Sequence, residues 1–69
     1  MTSSNSGARV HSCEEVGRGA EIEARVKGAK HFEGLVIETH PKMRLFWAVS
    51  SVGVRRLIEF DEYEVYRLV

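Results

Sequence analysis

The sequence predicts an all-β fold of five short strands behind a flexible N-terminal tail. Three observations carry that expectation. Apolar residues in the second half of the chain recur with period two, turn-forming residues recur about every ten positions, and the first nineteen residues hold almost nothing a core could use. With 69 residues there is room for one small domain.

Residues 1 to 19 contain four Ser, one Thr, one Asn and three Gly, with only Val10 and Val16 as branched apolar side chains. Such a stretch buries too little surface to offset its ordering entropy, so it reads as a flexible tail, and residues 20 to 69 as the folded domain. In the first strand Ala20, Ile22, Ala24 and Val26 alternate with Glu21, Glu23, Arg25 and Lys27, until Gly28 ends the pattern. A helix is the rival reading there, since Ile22, Val26 and Ala29 also fall at helical spacing; strict alternation favours the strand. Phe32 to Thr39 forms the second strand, with Gly34 as a bend or a point of close approach. His40-Pro41-Lys42 is a turn, because proline fixes its own φ and pushes His40 toward extended geometry. Met43 to Ser50 is the third strand, with Leu45, Trp47 and Val49 on one face. Ser50-Ser51-Val52-Gly53 is a hairpin loop, Val54 to Phe60 the fourth strand, Asp61-Glu62-Tyr63 a tight turn, and Glu64 to Val69 the fifth strand. Five such strands make a small barrel or sandwich.

Composition narrows the function. Ten Lys+Arg balance ten Asp+Glu, which excludes a dominant polybasic arm or acidic tail. The longest apolar run, Leu45-Phe46-Trp47-Ala48-Val49, is far too short to span a bilayer, so no membrane role is expected. The residues after Met1 have neither the basic start nor the apolar stretch of a secretory signal. The single Cys13 has no disulfide partner in the chain, which fits a reducing compartment and a cytoplasmic protein.

The spacing Gly19-x-x-Ile22-x-x-x-Val26-x-Gly28, followed by Phe32-Glu33-Gly34-Leu35-Val36, resembles the opening of SH3-like small barrels, above all the KOW and Tudor-like kind. The fourth strand, the one-turn connector at Asp61-Glu62-Tyr63 and the short closing strand are similar too. The likeness covers residues 19 to 69 and is one of spacing and residue class. It implies a five-stranded SH3-like barrel, a fold that hosts many unrelated functions. The plasmid-borne type II dihydrofolate reductases are small barrels of this kind, with a Val-Gln-Ile-Tyr motif on the fourth strand. The corresponding stretch here, Arg56-Leu57-Ile58-Glu59-Phe60, lacks both Gln and Tyr, so that activity does not carry over.

Catalytic constellations are poor, and no enzyme is expected. His11-x-Cys13 supplies two ligands where a structural zinc site needs four, and His31 and His40 have no spaced companions, so neither metal nor cofactor is expected. Gly17-Arg18-Gly19 precedes no helix and makes no phosphate loop. Cys13 has no activating base, and Asp61-Glu62-x-Glu64 reads more simply as a solvated turn than as an acid-base pair.

Binding is the better reading. Seven bases and two acids lie between residues 24 and 58, whereas four acids and one base follow from Glu59 onward. If Leu45, Trp47 and Val49 face inward as core, with Phe60, then Phe46 faces outward as a stacking platform or a protein contact, unless a bent barrel strand buries both of its faces and Phe46 is core as well. Arg56 falls on the apolar stripe Val54-Arg56-Ile58-Phe60, so the strand either bulges there or Arg56 snorkels at the rim. The expected interface is therefore Lys30, Lys42, Arg44, Phe46, Arg55 and Arg56, with nucleic acid as first partner. The alternative is a protein-protein adaptor or a homodimer using the same face or a strand edge.

Overall fold

The alternating pattern produces strands throughout. In the computed structural model, which describes residues 8 to 68, the chain forms six antiparallel strands, and no α-helix occurs among the described residues. They are β1 (Ala8–Val10), β2 (Glu21–Val26), β3 (Ala29–His40), β4 (Leu45–Val49), β5 (Arg55–Glu59) and β6 (Glu64–Leu68). One-turn 3₁₀ segments at Cys13–Glu15 and Pro41–Met43 interrupt the connections before β2 and β4. The strands make one sheet in the order β1-β6-β2-β3-β4-β5, leaving β1 and β5 as its two edges. The sheet is thus not closed into a barrel, and it holds six strands where the sequence predicts five.

The β2–β3 hairpin is closed by Lys27 and Gly28, with φ of 52° and 82°. Two successive left-handed residues match the twist of the flanking strands, and glycine adopts that conformation at little cost. The Glu64 carboxylate accepts hydrogen bonds from both turn amides, Lys27 N at 3.1 Å and Gly28 N at 3.3 Å. The start of β6 thereby pins the tip of a hairpin nearly forty residues earlier in the chain.

β3 is twice the length of its neighbours and serves both halves of the sheet. Its first part pairs with β2 up to Glu21↔Leu35, and its second part pairs with β4 from Leu35↔Val49 to His40↔Leu45. Ile37 is an extra residue between the pairs Val36↔Ala48 and Glu38↔Trp47, a bulge that bends the strand. Gly34 sits at the changeover. A Cβ there would overlap the Val49 carbonyl oxygen and stand 2.8 Å from the Val49 carbonyl carbon and 2.9 Å from Phe32 Cε2. The close approach expected at Gly34 is therefore real, and its neighbour is backbone that cannot turn aside.

Every strand contributes to one core on the concave side. Val10, Ile22, Ala24, Phe32, Val36, Phe46, Ala48, Ile58 and Val65 are buried there with Val16, and the Phe60 ring meets Phe46 edge-on at 5.5 Å and 61°. Among the described residues no polar or charged side chain is buried, so the core needs no internal hydrogen-bond network.

Residues 8 to 19 do not behave as the flexible tail the composition implies. β1 pairs with β6 through Ala8↔Arg67, Arg9↔Tyr66 and Val10↔Val65, and Val10, Cys13 and Val16 are all buried. The Cys13 thiol donates to the Leu45 carbonyl at 3.3 Å, and Arg67 Nη1 donates to the Glu15 carbonyl at 3.3 Å. A few apolar residues suffice because the unpaired edge of β6 supplies backbone hydrogen bonds, which composition does not display. Residues 1 to 7 of the expected tail lie outside the described residues.

Two outcomes follow from this packing. Gly34→Ala should lower the unfolding free energy by about 1–3 kcal/mol in urea titration, since the added methyl meets fixed backbone. In the native protein Cys13 should react with a thiol reagent orders of magnitude more slowly than in denaturant. Equal rates would mean that the segment from β1 to Val16 is not docked.

Candidate interaction face

The six expected interface residues do not converge. Phe46 is fully buried against Phe60, so the expected outward aromatic is a core residue. The facing of β4 is the reverse of that expected: Phe46 and Ala48 point in, whereas Leu45, Trp47 and Val49 point out. Period two fixes which residues share a face but not which face is inside, and all five β4 residues are apolar. Burying Trp47 would strand its indole N–H in a core with no buried polar partner, whereas Phe46 carries no such group.

The bases are dispersed and partly neutralised. Glu23 and Glu33 stand directly opposite on β2 and β3, a repulsive arrangement that two cations relieve. Lys30 Nζ reaches Glu33 at 2.9 Å, and Arg25 Nε reaches Glu23 at 2.6 Å while its guanidinium lies 4.3 Å from the centre of the Tyr66 ring. The hydrogen bond to Glu33 raises the Lys30 pKa above its ordinary value, and that to Glu23 does the same for Arg25. Arg44, at φ 56°, follows the Pro41–Met43 turn and reaches Asp61 at 3.3 Å, with its guanidinium 6.0 Å from the Phe60 ring centre. Lys42 is exposed on the same turn. Arg55 is exposed on β5, opposite Val49.

Arg56 settles on the rim. The β4–β5 register runs unbroken through Ala48↔Arg56 and Val49↔Arg55, so there is no bulge. Arg56 leaves the apolar stripe by laying its guanidinium 5.4 Å over the Phe32 ring, covering the core edge while its charge stays in water. Val54, on the same stripe, is exposed.

The feature that sequence reasoning missed is the outer surface of β3, β4 and β5. Trp47 stands opposite Leu57 on β5 and Glu38 on β3, and Val49 stands opposite Leu35 and Arg55. Leu35 is 43% exposed and Trp47 37%, with Leu45, Val49 and Leu57 half-buried among them. The outer surface of β2 and β6 is mostly polar by contrast, carrying Glu21, Glu23, Arg25, Glu64 and Tyr66 beside the half-buried Leu68. A shallow groove borders the apolar patch, lined by Glu21, Lys30, Glu33, Leu35, Ser50 and Ser51. The available signal was the unbroken apolar run of β4, which covers both faces of its strand. Among the described residues no group of three or more His, Cys, Asp or Glu is placed to hold a metal ion, and no helix is long and apolar enough to cross a membrane.

No family model matches the chain, and neither a curated protein nor a solved structure matches it.

The Lys30–Glu33 pair has a directional consequence for titration. Because the folded Lys30 pKa lies above the ordinary 10.5, the pair's contribution is complete below that value and is lost as pH rises through the raised one. Glu33→Gln should move the Lys30 midpoint back toward the ordinary value, read from its side-chain ¹⁵N shift.

Proposed function

We propose that the protein is a non-catalytic interaction module that docks a protein partner on the outer surface of β3, β4 and β5. The observation that carries this reading is the apolar patch of exposed Leu35 and Trp47 with half-buried Val49 and Leu57, on a sheet whose other outer half is mostly polar. Contiguous exposed apolar surface on a small domain marks contact with another macromolecule, and a central tryptophan is the residue type that most often anchors it. Nucleic acid, the first partner expected from sequence, has less support. Phe46 offers no stacking surface, and Lys30 and Arg44 already have carboxylate partners, leaving Lys42 on the Pro41–Met43 turn, Arg55 on the outer face of β5 and Arg56 on its other face over Phe32.

The finer fold reading is an SH3-like small barrel opened along the gap between β1 and β5. It is supported by the glycine hairpin at Lys27-Gly28, the aromatic-x-Gly-x-Val segment on the bent β3, and the one-turn connector before the closing strand. A cytoplasmic location is supported by the unpaired thiol of Cys13.

The test uses the purified chain as bait in a lysate of its source organism, beside titrations with single- and double-stranded oligonucleotides. Trp47→Glu should abolish capture of the protein partner, whereas Arg55→Glu combined with Arg56→Glu should retain it, and raised salt should leave it intact. Oligonucleotide binding that weakens steeply with salt and survives Trp47→Glu would favour the nucleic-acid reading instead.

A further inference from the structure

β5 is an edge strand, and its free side carries a self-complementary pattern. Phe60 N donates to the Arg44 carbonyl at 3.0 Å and Ser50 N to the Val54 carbonyl at 2.8 Å. With the register Phe46↔Ile58 and Ala48↔Arg56 between them, residues 54, 56, 58 and 60 turn their backbone groups toward β4. Arg55, Leu57 and Glu59 therefore turn theirs to the open edge, and among the described residues no strand pairs with that edge. Their side chains stand on the outer surface, where Leu57 adjoins Trp47.

We infer that a second copy of this chain pairs with β5 in antiparallel fashion, about a two-fold axis through Leu57. This rests on the reading of the Trp47 face as a protein-docking surface, which the second copy extends across the open edge rather than covers. In the run Arg55-Arg56-Leu57-Ile58-Glu59, a two-fold at Leu57 sets Arg55 opposite Glu59 of the second copy, and Glu59 opposite its Arg55. Those positions share the outer surface, so two cross-strand ion pairs flank the Leu57–Leu57 contact. The backbone agrees independently of the charges. The same register pairs the residues whose backbone groups face away from β4, so Leu57 exchanges two hydrogen bonds with its copy. Each Glu59 N–H meets the Arg55 carbonyl of the other chain. The Glu59 carbonyl takes no part, because it already accepts from Glu62 N and Tyr63 N at 3.0 Å each. Four inter-chain hydrogen bonds result, and Trp47, Leu57 and their copies form one apolar strip across the junction. A two-residue shift one way sets Arg55 opposite Leu57 and loses both ion pairs; a shift the other way sets Arg55 opposite Asp61, which lies beyond the end of β5 and is already held by Arg44.

Sedimentation equilibrium of the full chain over a wide concentration range tests this, with circular dichroism to confirm folding of each variant. The wild type should sediment as a dimer, and its Leu57 and Glu59 amides should exchange more slowly as concentration rises. Arg55→Glu and Glu59→Arg should each raise the dimer dissociation constant roughly tenfold or more, since each variant places like charges together twice. The double variant carrying both changes should restore the dimer, while Lys42→Glu should leave it unchanged. A monomeric wild type at the highest concentrations would overturn the pairing, and so would a dimer indifferent to both single reversals or not restored by the double one. A monomer that still captures another protein through Trp47 sinks the pairing alone. A charge-swappable dimer whose partner capture ignores Trp47 sinks the docking surface instead.

Discussion

The rest of the fold depends on the passage of β3 from one half of the sheet to the other. A single twelve-residue strand pairs with β2 along its first part and with β4 along its second, and it must bend to do so. The bend needs the bulge at Ile37 and, beside it, the close approach of the Val49 backbone to Gly34. Without that approach, β4 and β5 could not swing round to place Phe46, Ala48 and Ile58 against Ile22, Ala24 and Val65. One absent side chain thus allows a single curved sheet to enclose its own core, which a flat sheet of this size could not do.

The segments outside the main alternation finish what the curved sheet begins. The segment from β1 to Val16 adds Val10, Cys13 and Val16 to the core and occupies the outer edge of β6. Arg56 and Arg44 lay guanidinium groups over Phe32 and Phe60, so cations lie over aromatic rings that the strands alone leave near the surface. Charges that look like a binding set in sequence are in good part local neutralisers. Lys30 answers the Glu23–Glu33 opposition together with Arg25, and Arg44 answers Asp61. The outer surface is left divided into a mostly polar half on β2 and β6 and an apolar half on β3, β4 and β5, with β5 as the exposed margin of the apolar half.

Much of this was legible in the residues. The β2 alternation, the Gly28 hairpin, the close approach at Gly34, the proline turn before β4 and the connector before β6 each rest on a local rule, and each occurs where that rule puts it. The failures share a different character. Exchanging Phe46 for Trp47 as the inward aromatic leaves the strand assignment intact and reverses only its facing, which no pattern within five apolar residues records. Assigning residues 8 to 19 to a tail follows correctly from their composition and fails because β6 has an edge to offer.

The sequence by itself determined the all-β class, the approximate positions of β2 to β6 and their turns, and the absence of a strong single-sign charge, because period, glycine, proline and charge act over a few residues. Tertiary structure alone decided the rest. It chose which face of β4 is inside, because that choice depends on the volume enclosed by strands far away in the chain and on where an indole N–H can remain wet. It decided that Arg56 covers Phe32, because the two meet only when the sheet curls. It also decided which edge stays open, because strand order is a property of the whole sheet and of no single strand.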